Sequence, residues 1–120
     1  MFYIIEEMES VLKYLSRPEE FVLLVLYQIK GEAYGNNIRK QLAEVTGKYW
    51  SIGSVYVPLD RLENKGLVKS YTGKVTPERG GRAKRCYEIT KEGLEKLAEL
   101  QKAHNSLWNK MPDLSFGKDK

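Results

Sequence analysis

A chain of 120 residues, with 42% hydrophobic and 30% charged side chains and a net charge of +4, is sized and composed for one folded domain. One cysteine, Cys86, and one histidine, His104, leave no pair for an internal disulfide and no cluster for a soft metal, so neither metal nor other cofactor is expected. The start "MFYIIEEMES" puts acids where a signal peptide needs bases, and the run "FVLLVLY" falls far short of the roughly 20 residues that span a bilayer, which together point to a cytoplasmic protein with no membrane segment.

Ile4, Ile5, Met8, Val11, Leu12 and Leu15 recur at spacings of three and four, predicting an amphipathic accessory helix within residues 1–16. "SRPEE" restarts the chain, with Ser16 as N-cap, Pro18 in the first turn, and Glu19 and Glu20 at the positive end of the helix dipole. The segment from Phe21 to Ile29 is apolar on nearly all sides and is expected to be the most buried helix. Gly31 ends it. Ile38, Leu42 and Val45 mark a third helix that stops at Gly47.

Ser51 caps a fourth helix, which Gly66 terminates. Its inward stripe is Val55, Leu59 and Leu62, and its opposite face carries Ser54, Tyr56, Val57, Asp60, Arg61 and Asn64. "LVKSYTG" and "KRCYEI" then read as two strands, separated by "KVTPERGGRA", which is too rich in proline and glycine to continue either. Residues 69–87 hold six bases (Lys69, Lys74, Arg79, Arg82, Lys84, Arg85) against Glu78 alone, whereas residues 1–20 hold five acids against two bases. Positive charge is therefore concentrated at the hairpin.

Thr90 caps a last helix, in which Leu97, Leu100, His104, Leu107 and Met111 step by three, four, three and four. That is the seam spacing of a coiled coil and asks for a partner helix. "MPDLSFGKDK" reads as a loose tail over 112–120. The fold class is thus mainly α with a two-stranded β wing: a winged helix-turn-helix over 17–90, preceded by the accessory helix and followed by a dimerisation helix over 91–111. In such a fold the third core helix enters the DNA major groove, and a basic hairpin beside it adds sequence-independent attraction to phosphates. Arg79 and Arg82 also have the reach and shape for a narrow minor groove.

"EAYGNNIRKQL", "SIGSVYVPLDRLENKGLV" and "TPERGGRAKRCYEIT" together resemble the PadR family of bacterial transcriptional regulators, across Glu20 to Leu100. The family pattern is an alanine/tyrosine/glycine helix start, a Gly-Ser-x-Tyr recognition helix ending in Arg-Leu-Glu, and a Gly-Gly-Arg wing. The resemblance implies a homodimeric winged helix on a palindromic double-stranded operator, usually a repressor and not an enzyme. It matches Ser54, Tyr56 and Arg61 to the DNA-facing helix positions, Tyr34 to the preceding helix start, and Arg82, Lys84 and Arg85 to the wing; Ser51 and Arg79 complete the DNA-contact candidates. Two departures stand out. Val57 holds the place where many members have proline, and Pro58 comes one residue later, removing the amide that would bond the Ser54 carbonyl and predicting a bend. The single C-terminal helix resembles the compact branch, which dimerises through it, here by Leu97, Leu100, His104, Leu107, Trp108 and Met111.

Several of these residues admit a plainer role. Tyr56 either meets DNA or packs against the hairpin, and Arg61 either meets phosphate or pairs with Asp60 or Glu63. His104 is a packed seam residue or a switch. Trp108 plugs the dimer core, or stacks a small aromatic ligand as the resemblance to ligand-responsive members suggests. A function from another class is a winged-helix adaptor that binds protein rather than DNA.

Overall fold

The computed structural model describes residues 14–75 and 83–114. The predicted accessory helix and the wing arginines Arg79 and Arg82 lie outside the described residues.

Helix α1 (Arg17–Gln28) opens on a reciprocal cap, in which the Glu19 amide donates to Ser16 Oγ at 3.3 Å and the Ser16 amide donates to Glu19 Oε1 at 2.9 Å. It is the most buried of the helices, as its composition predicts, covering Val22, Leu23, Val25 and Leu26, while Leu24 and Tyr27 are exposed. The reason is geometric: neighbours cover one side of α1 only, and the other side forms the wall of a groove. Strand β1 (Ala33–Tyr34) leads directly into α2 (Gly35–Thr46). Ile38 and Leu42 of α2 are fully buried, whereas Val45 is exposed in the last turn. Gly47 ends α2 in the left-handed region at φ 68°, with its amide on the Ala43 carbonyl.

Helix α3 (Ile52–Asn64) starts at Ser51, whose Oγ accepts from the Ser54 amide at 3.1 Å. Val55, Leu59 and Leu62 are fully buried, as their spacing predicts. Pro58 is buried inside the helix, which runs through it to Asn64. Strands β2 (Val68–Thr72) and β3 (Arg85–Ile89) pair antiparallel, Val68 opposite Ile89 and Thr72 opposite Arg85. The wing is not merely two-stranded: β1 joins β3 with Ala33 opposite Tyr87 and Tyr34 opposite Cys86, giving an antiparallel sheet of order β1-β3-β2. Two residues are too few to show alternation in sequence, so the third strand was illegible there.

Helix α4 (Lys91–Trp108) is capped by Thr90 and docks on the α3–β2 corner, where the Thr90 amide donates to the Leu67 carbonyl at 3.0 Å. It stops at Trp108, so Met111 lies in the following turn rather than in the helix. Leu97 and Leu100 pack on the core, but of the whole helix only Gly93 is fully buried.

Candidate nucleic-acid interface

Because Val55, Leu59 and Leu62 anchor α3 inward, the helical repeat turns Gly53, Val57, Asp60, Arg61 and Asn64 to the surface, and all five are exposed. Ser54 is half-buried at the edge of this face, its Oγ donating to the Ser51 carbonyl at 2.6 Å. The Ser51 hydroxyl accepts the cap bond and keeps its proton for another acceptor. Arg61 makes no ion pair among the described residues. Its predicted competitor Glu63 instead accepts from Ser70 Oγ at 2.8 Å and from Arg85 at 3.3 Å.

Tyr56 takes the packed orientation. Its ring lies edge-on to Tyr87, with centroids 6.4 Å apart, and its hydroxyl occupies the space that a side chain on Gly35 would fill. Glycine at the start of α2 is what lets the Tyr56 ring wedge between the two helices of the helix-turn-helix. Burial pushes the Tyr87 phenol above its ordinary range, against the opposing pull of the Arg85 charge, so Tyr87 stays a neutral hydroxyl under the sheet.

On the wing, Lys84 places its ammonium 3.3 Å from the centroid of the Tyr34 ring, a cation–π contact that joins the base of the hairpin to the entry of α2. Arg85 rests on Glu63, with both side chains part-exposed, a solvent-screened pair that leaves the guanidinium easily exchanged to a phosphate. Lys84 and Arg85 thus lie on the same strand end, beside α3, with Tyr34 next to them.

Sequence reasoning missed Glu32. Its carboxylate accepts from the Lys74 amide at 2.7 Å, while the Gly73 amide donates to the Lys84 carbonyl at 2.7 Å, so the wing leaves the sheet braced on both sides. A side chain at Gly73 would run into Cys86 Sγ and the Glu32 carboxylate, which is why a residue without Cβ stands there. No local pattern in the sequence signals this long-range bond.

The predicted dimer residues divide. Leu97 and Leu100 are half-buried against their own core, and His104 Nε2 lies 3.1 Å from Glu20 Oε1 of α1. Leu107 and Trp108, at 66% and 61% exposed, and Met111 are left in solvent. Between α1 and α4 runs an apolar groove of about 490 Å³, walled by Leu24, Tyr27, Leu97 and Leu100 with Glu20 and His104 at one end; Trp108 does not line it. Among the described residues no acidic, histidine or cysteine cluster is placed to hold a metal ion, and no helix is long and apolar enough to cross a membrane.

A helix-turn-helix whose second helix presents a solvent-facing side next to a basic antiparallel wing defines the winged-helix class of DNA-binding proteins. Residues 22–99 match the family model described as the transcriptional regulator PadR-like family, and the chain belongs to that family. A PadR family transcriptional regulator from Eggerthella lenta is similar in structure, with 30% identity, a TM-score of 0.61 and coverage of 88% of this chain and 87% of that one. A PadR-like transcription factor from Bacteroides fragilis shows 25% identity, a TM-score of 0.62 and coverage of 88% and 91%. RosR of H. salinarum shows 26% identity, a TM-score of 0.64 and 84% coverage of each chain. No curated protein sequence matches the chain significantly. The protein is a DNA-binding transcription regulator and not an enzyme.

Proposed function

We propose that two copies of this chain bind an imperfect palindrome as a repressor, each α3 in a major groove and each wing on the adjacent backbone. The observation that carries this reading is the outward face of α3, where Arg61 has no ion-pair partner among the described residues, next to Lys84 and Arg85 on the wing. Residues 17–90 form the DNA-binding unit, with Tyr34, Ser51, Ser54 and Arg61 nearest the groove. Arg79 and Arg82 add two further positive charges to the wing sequence. Tyr56 acts from behind, holding the angle between α2 and α3.

Residues 91–111 pair the two copies through Leu97, Leu100, His104, Leu107, Trp108 and Met111. The exposure of Leu107 and Trp108 in one chain supports this, since each large apolar side chain kept in water forgoes about 1.5–3 kcal/mol. A small, flat aromatic molecule stacked between the two exposed Trp108 rings of the dimer relieves repression by altering how the two reading helices are spaced. Half-sites then lie about one helical turn of DNA, or a multiple of it, apart.

The test is a gel shift with the fragment upstream of the protein's own gene, run over a salt series. Wild-type protein is expected to retard it with an affinity that falls steeply with salt, and the combined replacement of Arg79, Arg82, Lys84 and Arg85 by Ala to abolish the shift. Undiminished binding by that variant would reject the wing's part. Indifference of wild type to all duplexes at low salt would reject the regulator reading in favour of a protein-binding adaptor.

A further inference from the structure

Gly53 and Val57 lie one turn apart at the centre of the outward face of α3, diametrically opposite the buried Val55, Leu59 and Leu62. Among the described residues no contact asks for either side chain. Gly53 is not among the glycines with positive φ, and a Cβ on it would meet no atom of the described residues within 4 Å, so alanine would fit there and would stabilise the helix more. Val57 is 49% exposed, β-branched, and a weak helix former. Two neighbouring positions thus carry residues that favour an approaching surface over helix stability.

We propose that Val57 is a specificity-determining residue that reads the 5-methyl group of a thymine in each half-site, with Gly53 leaving the clearance that brings the base edge to it. The inference rests on the DNA-reading function proposed above. Its chemistry is restrictive: Val57 has no donor or acceptor, and the only apolar group on the major-groove edge of an unmodified base pair is the thymine methyl. The neighbouring polar residues, Ser54 on one side and Asp60, Arg61 and Asn64 a turn further on, surround Val57 with groups that pair with phosphates and base edges. A lone valine on an ordinary surface needs no explanation. A valine paired with an unforced glycine, on the face turned to the duplex, has one.

The experiment selects duplexes from a randomised pool with the full chain, then replaces each thymine of the enriched site, symmetrically in both halves, with deoxyuridine, which removes only the methyl. For wild type, one thymine pair is expected to weaken binding by about fourfold per half-site, on the order of 15-fold for the two. For Val57→Ala the same change should shift affinity by less than about twofold, with the salt dependence unaltered. Gly53→Ala is expected to raise the Tm of the free protein while weakening binding to the selected site by about tenfold or more. Insensitivity of wild type to every deoxyuridine, or an equal loss in Val57→Ala, would overturn the assignment while leaving DNA recognition intact. A pool that enriches no duplex would instead overturn the regulator reading itself.

Discussion

Lys65 Nζ lies 2.6 Å from Glu19 Oε2, joining the end of α3 to the beginning of α1 through a carboxylate side chain that is only 4% exposed. Glu19 already closes the N-terminal cap of α1, so one buried carboxyl group fixes both the start of that helix and the seat of the reading helix. Removing Lys65 leaves this charge buried without its counter-ion, and such truncations cost more than the intact pair is worth. Lys65→Met is expected to lower stability by about 2–3 kcal/mol, tempered by the partial exposure of the lysine, and Glu19→Gln/Lys65→Met to recover part of it. Chemical denaturation of the three proteins checks this.

The same pair sets a pH dependence. Burial alone would raise the Glu19 pKa, but the hydrogen bond from Lys65 and those with Ser16 outweigh it and hold the carboxyl below its ordinary value. With the folded pKa depressed, the stabilisation is fully present above the unfolded carboxylate value of about 4.3 and is lost as pH falls through the lower folded value. Wild-type stability is therefore expected to decline below about pH 4.3, and that of Glu19→Gln to decline less steeply. Thermal melts between neutral and acid pH measure the difference in slope.

Gly93 sits where a Cβ would strike the Leu67 carbonyl oxygen and approach Ile89 Cγ2 at 2.8 Å. That carbonyl also accepts from the Thr90 amide, so it cannot swing away without unseating the residue that caps α4. Gly93→Ala is expected to cost about 2–3 kcal/mol and to lower Tm by about 8–12 °C, with α4 loosened from the corner of the fold. Hydrogen exchange along α4 would report the loosening, and unchanged protection would contradict it.

A methyl group at Gly35 would collide with the Tyr56 ring, since its carbon would come within 2.6 Å of Tyr56 Cζ. Overpacking of this kind costs about 1–3 kcal/mol, and here it also splays α2 from α3. Gly35→Ala is expected to lose stability and DNA affinity together, and Gly35→Ala/Tyr56→Leu to regain much of the stability. Recovery of neither would mean that the contact is not what limits the site.

Leu107 is exposed in the single chain, so charge there costs the monomer little and the proposed dimer a great deal. Leu107→Glu is expected to leave the helical signal of the monomer intact and to weaken self-association by about 100-fold or more, since two copies lose their burial. Sedimentation at a series of concentrations gives the answer.

The amino-acid sequence by itself determined the order of the four described helices and the hairpin, the buried stripe of α3, the caps at Ser16, Ser51 and Thr90, and, through its ordered motifs, the family. Helical periodicity and capping are local, and so they were legible. Only the tertiary structure decided that Tyr56 turns inward over Gly35, that Glu63 pairs with Arg85, that Glu32 braces the wing, and that β1 adds a third strand. Those contacts join residues 21, 22, 42 and about 50 positions apart, at distances set by how α2, α3 and the sheet pack, and no local pattern encodes them. The exposure of Leu24, Tyr27 and Val45 has the same origin: a residue is apolar by composition, but whether it meets the core depends on which neighbour the fold brings to it.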